Sequence, residues 1–298
     1  MRRFDDEDFT GAEFRECDLS RARLVGVVMQ DAEIDGLVTN LEVNGVQVMP
    51  YVEAELDRRH PVRLLIRSDE PSDLREAWRQ LRADWGTIAE RVRTMPAGSE
   101  HHGLDGEWSM VETLRHLVFV HDSWFRRCVL GLTEPFTPMG LASPFVPDQE
   151  EQGLDASSRP SLGEVLDARD RQGSEIEAWL AEVTREQLAQ TAPVPSDDGW
   201  PPYARGRSVR QCLGTVLNEE WAHHGFCIRD LNKLSGQDAL QKTADQSAAW
   251  FTNEVAGVVR SPCRPGTHLP RPRGRCRRDL GELRPTRCSR DTSYPLLQ

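Results

Sequence analysis

The sequence predicts a mainly α-helical protein in which a short square coil precedes a four-helix bundle. Three observations support this prediction: four long amphipathic segments with no strand between them, capping signatures at three of their starts, and an N-terminal repeat with a period of five. Amphipathic helices without intervening strands bury their apolar stripes against one another, which is typical of a bundle. A period of five fits neither a helix nor a flat strand, and a square coil accommodates it.

The N-terminal repeat places a large apolar residue at every fifth position, and most of these follow a small residue by two positions. The large residues are Phe4, Phe9, Phe14, Leu19, Leu24, Met29 and Ile34. Residues 4–38 resemble the pentapeptide-repeat family, whose fold is a right-handed quadrilateral β-helix. The alternative is an irregular amphipathic segment. Fewer than two coils fit here, which is too short to imitate a DNA duplex.

The residues after the repeat predict a hairpin and a short helix. Apolar residues alternate around Asn44-Gly45, a strong hairpin signal. Pro50 then suits the first turn of a helix that extends to about Arg58. We therefore expect an N-terminal module over residues 1–59, followed by a linker over residues 60–71.

The four long helices are expected at residues 72–95, 109–130, 161–183 and 208–234. Capping boxes mark the starts of the last three, with Ser109 and Glu112, Ser161 and Glu164, and Ser208 and Gln211 as the reciprocal pairs. The bundle therefore covers residues 72–236. Residues 237–298 are expected to form a helical extension and a disordered tail rich in Arg and Pro, or a stretch translated in an altered reading frame.

Composition limits the class of protein and its partners. The formal net charge of −11 argues against nucleic acid as a partner. No apolar run reaches the ~20 residues of a membrane span, and the N-terminus has no secretory signal. Seven cysteines without a C-x-x-C spacing argue against a disulfide framework. We therefore expect a cytoplasmic protein without membrane contact.

The last helix carries the strongest candidate for chemistry. Glu219 and His223 stand one helical turn apart on a largely apolar face, and Asp230 points to the same side. A carboxylate there is costly unless it is paired or binds a metal, and two such groups can share one cation. The alternative is an ion-paired Glu219 beside a hydrogen-bonded core histidine. Glu220 and His224 have the same spacing and compete for the role.

The second helix offers two histidines, of which only one can face a given point. His116 and His121 lie about 140° apart around an ideal helix. His121 falls within the apolar stripe, so periodicity alone favours His121 as the inward residue. Either histidine could also be a structural residue of the core.

Two motifs in these helices resemble the DinB-type family of four-helix metal proteins. His116 follows Trp108-Ser109 with the spacing of that family, and Glu219-x3-His223 resembles its second ligand pair in the branch that includes mycothiol-dependent maleylpyruvate isomerase. Over residues 72–236, the resemblance implies His116, Glu219 and His223 as ligands of a divalent metal, with zinc first and nickel as an alternative. Asp230 is then a candidate to hold a ligand imidazole.

The same resemblance implies a low-molecular-weight thiol as cosubstrate, such as mycothiol, bacillithiol or glutathione. The expected function is a metal-dependent, thiol-using transferase or a hydrolase-like detoxification enzyme that acts on a small electrophile. The isomerase's additional domain is not recognisable, which argues against that particular reaction. The alternative function is a non-catalytic metal-binding scaffold that docks partners through the repeat. A homodimer is one alternative for the assembly.

Overall fold

The computed structural model describes residues 3–15, 17–104 and 106–236, and these residues separate into two compact units with a boundary between Met49 and Pro50. The predicted extension and tail at 237–298 lie outside the described residues. Among the helices that the structure describes, none is both long and apolar enough to cross a membrane.

The first unit keeps the period of five in its backbone. Positive φ angles recur at residues 6, 11, 21, 26, 31 and 36, so the chain turns at regular intervals. Within residues 3–15 and 17–41, however, no strand forms, and the large residues are exposed, with Leu19 at 58% and Leu24 at 68%. The predicted β-helix is therefore not observed. Fewer than two coils give each side of the square no full layer against which to pair and pack.

The predicted hairpin is confirmed, and it provides the only two strands among the described residues. Strand β1 (Glu42–Val43) pairs antiparallel with β2 (Val46–Gln47), with Val43 opposite Val46. Asn44 and Gly45 both have positive φ, as a tight two-residue hairpin turn requires.

The second unit is helical, and its first helix begins at the boundary residue Met49. Its elements are α1 (Met49–Arg59), α2 (Val62–Ile66), α3 (Pro71–Arg93), α4 (Met110–Val120) with a π-helical continuation (His121–Val129), α5 (Leu162–Glu182), α6 (Arg185–Ala189) and α7 (Val209–Leu234). The three predicted capping boxes are present at α4, α5 and α7, where each N-cap serine accepts from the backbone of the third helical residue. The four long helices are thus confirmed to within about two residues.

Two local features differ from the prediction. Residues 60–71 are not a plain linker, because α2 lies within them and buries Val62 and Ile66 in the core shared with α3 and α7. The second long helix changes from α to π at His121, and Leu130 N–H donates to Phe125 O at 2.9 Å across five residues. This change shifts the helical register for the residues that follow.

Nearly all residues of α4 are buried, because the surrounding helices cover it on more than one side. The connection between the π-helix and α5 also packs on it: Leu141 N–H donates to Arg115 O at 3.0 Å, and Arg115 Nε donates to Met139 O at 2.8 Å. Connections of this length are often functional. This one covers the part of α4 that carries His116.

Candidate metal centre

His116 lies in the second turn of α4 with its side chain buried and its orientation fixed. The carbonyl oxygen of Leu141 can only accept, so the Nδ1 atom of His116 at 3.0 Å must be the donor. In the neutral imidazole this tautomer leaves Nε2 with a lone pair that can bind a metal, whereas in the protonated imidazole both ring nitrogens carry hydrogen. A histidine that donates from one ring nitrogen to a backbone carbonyl is the usual arrangement for a metal ligand.

Glu219 and His223 approach this imidazole from α7. Their spacing places them one turn apart on the same face of the helix. The Oε2 atom of Glu219 lies 3.1 Å from His223 Nε2 and 3.8 Å from His116 Nε2. Only 16% of each of the two α7 side chains is exposed. The carboxylate therefore lies between two imidazoles in a largely dry environment.

The electrostatics of this arrangement favour an ionised carboxylate. Burial by itself raises the pKa of Glu219, but the favourable interactions of its carboxylate with the His116 and His223 imidazoles outweigh burial and lower that pKa to about 2. Glu219 is consequently negative over the whole physiological pH range. A buried negative charge flanked by two nitrogen donors attracts a cation.

The three side chains fit a divalent cation. One donor atom from each of His116, Glu219 and His223 lies within 4.8 Å of the other two, and among the residues that the structure describes this is the one such group. Zinc binds histidine nitrogen and carboxylate oxygen at about 2.0–2.2 Å, so a tetrahedral pair of donors stands roughly 3.5 Å apart. The observed separations of 3.1 and 3.8 Å bracket that spacing. The cluster could therefore bind one divalent metal.

Aromatic rings surround the three groups. The Trp108 ring centroid lies 4.7 Å from that of His116 and 6.2 Å from that of His223, nearly parallel to the latter. Phe119 lies 6.1 Å from His116, and Phe226 lies 5.5 Å from His223. These rings limit the access of water and restrict the imidazole orientations.

The competing residues on α7 have other partners. Glu220 is buried and accepts from both terminal nitrogens of Arg169 at 2.6 Å, a bidentate ion pair with α5. His224 packs edge-on against Trp85 at 5.4 Å, and burial lowers the pKa of its imidazole. The structure therefore does not bring Glu220 and His224 to the His116 cluster.

His121 and Asp230 also lie apart from the three clustered groups. His121 is 1% exposed, and its ring nitrogens lie 3.5 Å from Asp122 Oδ1 and 3.6 Å from Glu175 Oε2. Asp230 Oδ1 accepts from Arg229 Nε at 2.9 Å. The imidazole of His116 has the Leu141 carbonyl as its partner, and no hydrogen bond between Asp230 and a ligand imidazole is seen among the described residues.

Sequence analysis missed the Leu141 carbonyl and Tyr203. Every residue has a backbone carbonyl, so the identity of Leu141 does not mark it as a hydrogen-bond partner. The only signal in the sequence was the length of the connection between α4 and α5. Tyr203 lies close enough to the centre for the charge of Glu219 to help raise the pKa of its phenol, although burial is the larger cause. The phenol therefore keeps its proton at physiological pH.

One comparison with known proteins identifies a family for the helical unit. A family model described as the DinB superfamily matches residues 54–227, which is more than half of the chain and includes all three clustered residues. Neither a curated protein nor a solved structure matches the chain significantly.

Proposed function

The chain belongs to the DinB superfamily, and we propose that it is a metal-dependent enzyme that uses a low-molecular-weight thiol. In this proposal His116, Glu219 and His223 hold one divalent cation and leave a position open for substrate. The observation that carries the proposal is the convergence of two imidazole nitrogens and one ionised carboxylate on a single point.

Three protein ligands of the His2Glu type are characteristic of catalytic zinc sites, whereas structural sites have four. We therefore propose zinc first and nickel as the alternative. A cation held here would act as a Lewis acid that lowers the pKa of a thiol and polarises a carbonyl group.

The residues of the chain prepare the centre for that chemistry. Leu141 fixes the tautomer of His116, and Glu219 stays ionised without an arginine or lysine partner among the described residues. Trp108 and Phe119 cover part of the cluster, which strengthens its electrostatic interactions by excluding water. These features support a preformed site.

The proposal of a thiol cosubstrate rests on the sequence motif. Glu219-x3-His223 is the variant of the second ligand pair that resembles the mycothiol-using branch. We propose a mycothiol-type thiol as cosubstrate and a small electrophile as substrate. The reaction class is then transfer or addition of the thiol, as in detoxification.

The test has two stages. Metal analysis of the purified full-length chain should find one divalent cation per chain. Consumption of a generic electrophile, 1-chloro-2,4-dinitrobenzene, is then measured with mycothiol, bacillithiol or glutathione and without a thiol. Glu219→Gln should abolish thiol-dependent consumption, and Glu220→Gln serves as the matched control one residue away. A chain that takes up no metal under any loading condition would exclude the enzymatic proposal.

The second candidate is a non-catalytic scaffold, and the first unit favours it. Phe4, Phe9 and Phe14 form a row of neighbouring rings at 5.5 and 6.2 Å, yet each is about half exposed or more. Exposed large apolar residues in a row are typical of interaction surfaces. Metal binding without any thiol-dependent activity across the electrophiles tested would favour this candidate.

A further inference from the structure

Arg207 differs from the arginines near it because its guanidinium has no anionic or carbonyl partner among the described residues. Arg205 donates to the carbonyl of Ser196 at 3.0 Å, and Arg210 donates to the carbonyls of Ser68 and Ile66. Arg207 lies between these two arginines in the sequence and is half-buried. Its guanidinium lies over two aromatic rings and makes no hydrogen bond or ion pair with the part of the chain that the structure describes. A half-buried cation with unused donors is a candidate for ligand recognition.

Two aromatic rings hold this guanidinium. Its carbon atom lies 5.4 Å from the centroid of the Trp124 ring and 5.9 Å from that of Tyr203. The rings attract the cation through their faces, whereas the N–H donors of a guanidinium lie in its own plane. The contacts therefore position Arg207 without using its hydrogen-bonding capacity.

A row of aromatic side chains connects Arg207 with the metal centre. Tyr203 lies 5.3 Å from Trp200, which packs on the apolar cluster that contains Phe119. Phe119 in turn lies 6.1 Å from the ring of His116. A row of packed aromatic side chains therefore links Arg207 with His116. Phe119, at its inner end, is buried, whereas Trp200 and Tyr203, in the connection before α7, are at least partly exposed.

The end of this row nearer Arg207 is open to a ligand. Tyr203 is 40% exposed, and Phe145, whose ring lies 5.8 Å from Trp200, is 49% exposed. Exposed aromatic faces beside a single cation suit a flat molecule with one negative end. A polyanion is disfavoured, because the chain carries a net charge of −11 and two other arginines of this region, Arg127 and Arg205, are engaged with Asp197.

We propose that Arg207 binds the carboxylate of an aromatic or otherwise flat organic acid, whose body lies on Tyr203 and Trp200 and whose reactive end faces the His116 cluster. The inference rests on the proposed function in one respect, since it makes this acid the substrate of the metal centre. A guanidinium and a carboxylate form two parallel hydrogen bonds, so Arg207 selects both charge and orientation.

Benzoate is a suitable probe, with benzamide as its uncharged analogue. Binding to the full-length chain is measured by saturation-transfer NMR and titration calorimetry, with and without added zinc. We expect benzoate to bind more tightly than benzamide. Arg207→Gln should weaken benzoate binding roughly tenfold or more and leave benzamide unchanged, since it removes a charge-assisted pair. Arg205→Gln is the matched control and should change neither.

Arg207→Lys keeps the charge without the planar fork and should give intermediate affinity, and circular dichroism checks that each variant is folded. Equal binding of benzoate and benzamide to the unmutated chain, or equal benzoate binding by Arg207→Gln, would overturn the proposal. Arg207-dependent benzoate binding in a chain that takes up no metal would support the acid site and exclude the proposed function. Metal uptake without Arg207-dependent binding would exclude the acid site alone.

Discussion

The Nδ1 atom of His116 donates to the carbonyl oxygen of Leu141 at 3.0 Å, and Leu141 N–H donates to the carbonyl of Arg115 at 3.0 Å. A connection between helices is thereby bonded to two adjacent residues of α4. The bond to the Arg115 carbonyl fixes the position of the connection, and the bond from His116 fixes the orientation of the imidazole. The orientation of the first candidate ligand therefore depends on the backbone of a segment far along the chain.

Leu141→Pro should weaken metal binding by about 10–100-fold, the usual effect of disturbing the partner of a ligand histidine. Proline removes the N–H that holds Leu141 to Arg115, so the carbonyl moves away from His116. Leu141→Ala keeps both backbone groups and is the control, with metal affinity near that of the unmutated chain. The zinc affinity of both variants is measured by competition with a chromogenic zinc chelator. An equal loss of metal affinity in both variants would mean that the Leu141 side chain, rather than its backbone hydrogen bond, supports metal binding.

His116→Gln should lose the metal, whereas His121→Ala should keep it. His116 contributes one of the three clustered donors, while His121 lies against Asp122 and Glu175. We expect His121→Ala to lower the free energy of unfolding by about 1–3 kcal/mol, since it opens space in a packed region. Metal content is measured by elemental mass spectrometry, and the free energy of unfolding is measured by urea denaturation. Metal that survives His116→Gln but not His121→Ala would transfer the ligand role to His121.

Features encoded over a few residues could be predicted from the sequence. The capping boxes of α4, α5 and α7 need only a serine and the residue three positions later. The same short range applies to the Asn44-Gly45 turn. The proximity of Glu219 and His223 follows from the helical period alone.

Features that depend on neighbouring segments could not be predicted in this way. Periodicity preferred His121 over His116, but α4 is covered so widely that both are buried, at 1% and 7% exposure. The helix α2 is too short for a periodic pattern, and the π-helical change at His121 has no composition signal. The partner of Glu220 is Arg169 on another helix, 51 positions away in the chain.

Glu220→Met should destabilise the fold by about 3–5 kcal/mol without loss of metal. The change leaves Arg169 without its partner in a site where only 12% of the Arg169 side chain and 1% of the Glu220 side chain are exposed. The double variant Arg169→Met with Glu220→Met removes both charges and should recover most of that loss. Urea denaturation and metal content are measured for the three proteins. Metal loss in Glu220→Met, with the fold intact, would return Glu220 to the list of ligands.

Residues 50–236 should fold more stably than residues 72–236. The shorter chain lacks Val62 and Ile66, and burial of each apolar side chain contributes roughly 1.5–3 kcal/mol. It also lacks Arg63, whose guanidinium lies 4.5 Å from the ring centroid of Trp221 on α7. Urea denaturation followed by circular dichroism compares the two chains. Equal midpoints would show that α2 only covers the bundle and that the linker prediction was adequate.

The pH dependence of stability in the metal-free chain should depend on Glu219. Its pKa in the folded state is about 2, below the ordinary value of 4.5, because the favourable interactions with the His116 and His223 imidazoles outweigh burial. A lowered pKa means that protonation favours unfolding. The contribution of the ionised Glu219 to the free energy of unfolding is therefore complete above about pH 4.5 and declines as the pH falls towards 2.

The measurement compares the unmutated chain with Glu219→Gln, both treated with a chelator, by urea denaturation at several pH values between about 5 and 2. The pH-dependent part of the difference in unfolding free energy should shrink by about 3 kcal/mol over this range, since each pKa unit corresponds to about 1.4 kcal/mol. The sign is diagnostic, because a carboxyl group kept neutral by burial would produce a difference that grows as the pH falls. A difference independent of pH would mean that the two imidazoles do not stabilise the carboxylate. In that case the bound metal, rather than the His116 and His223 imidazoles, would keep the Glu219 carboxylate ionised.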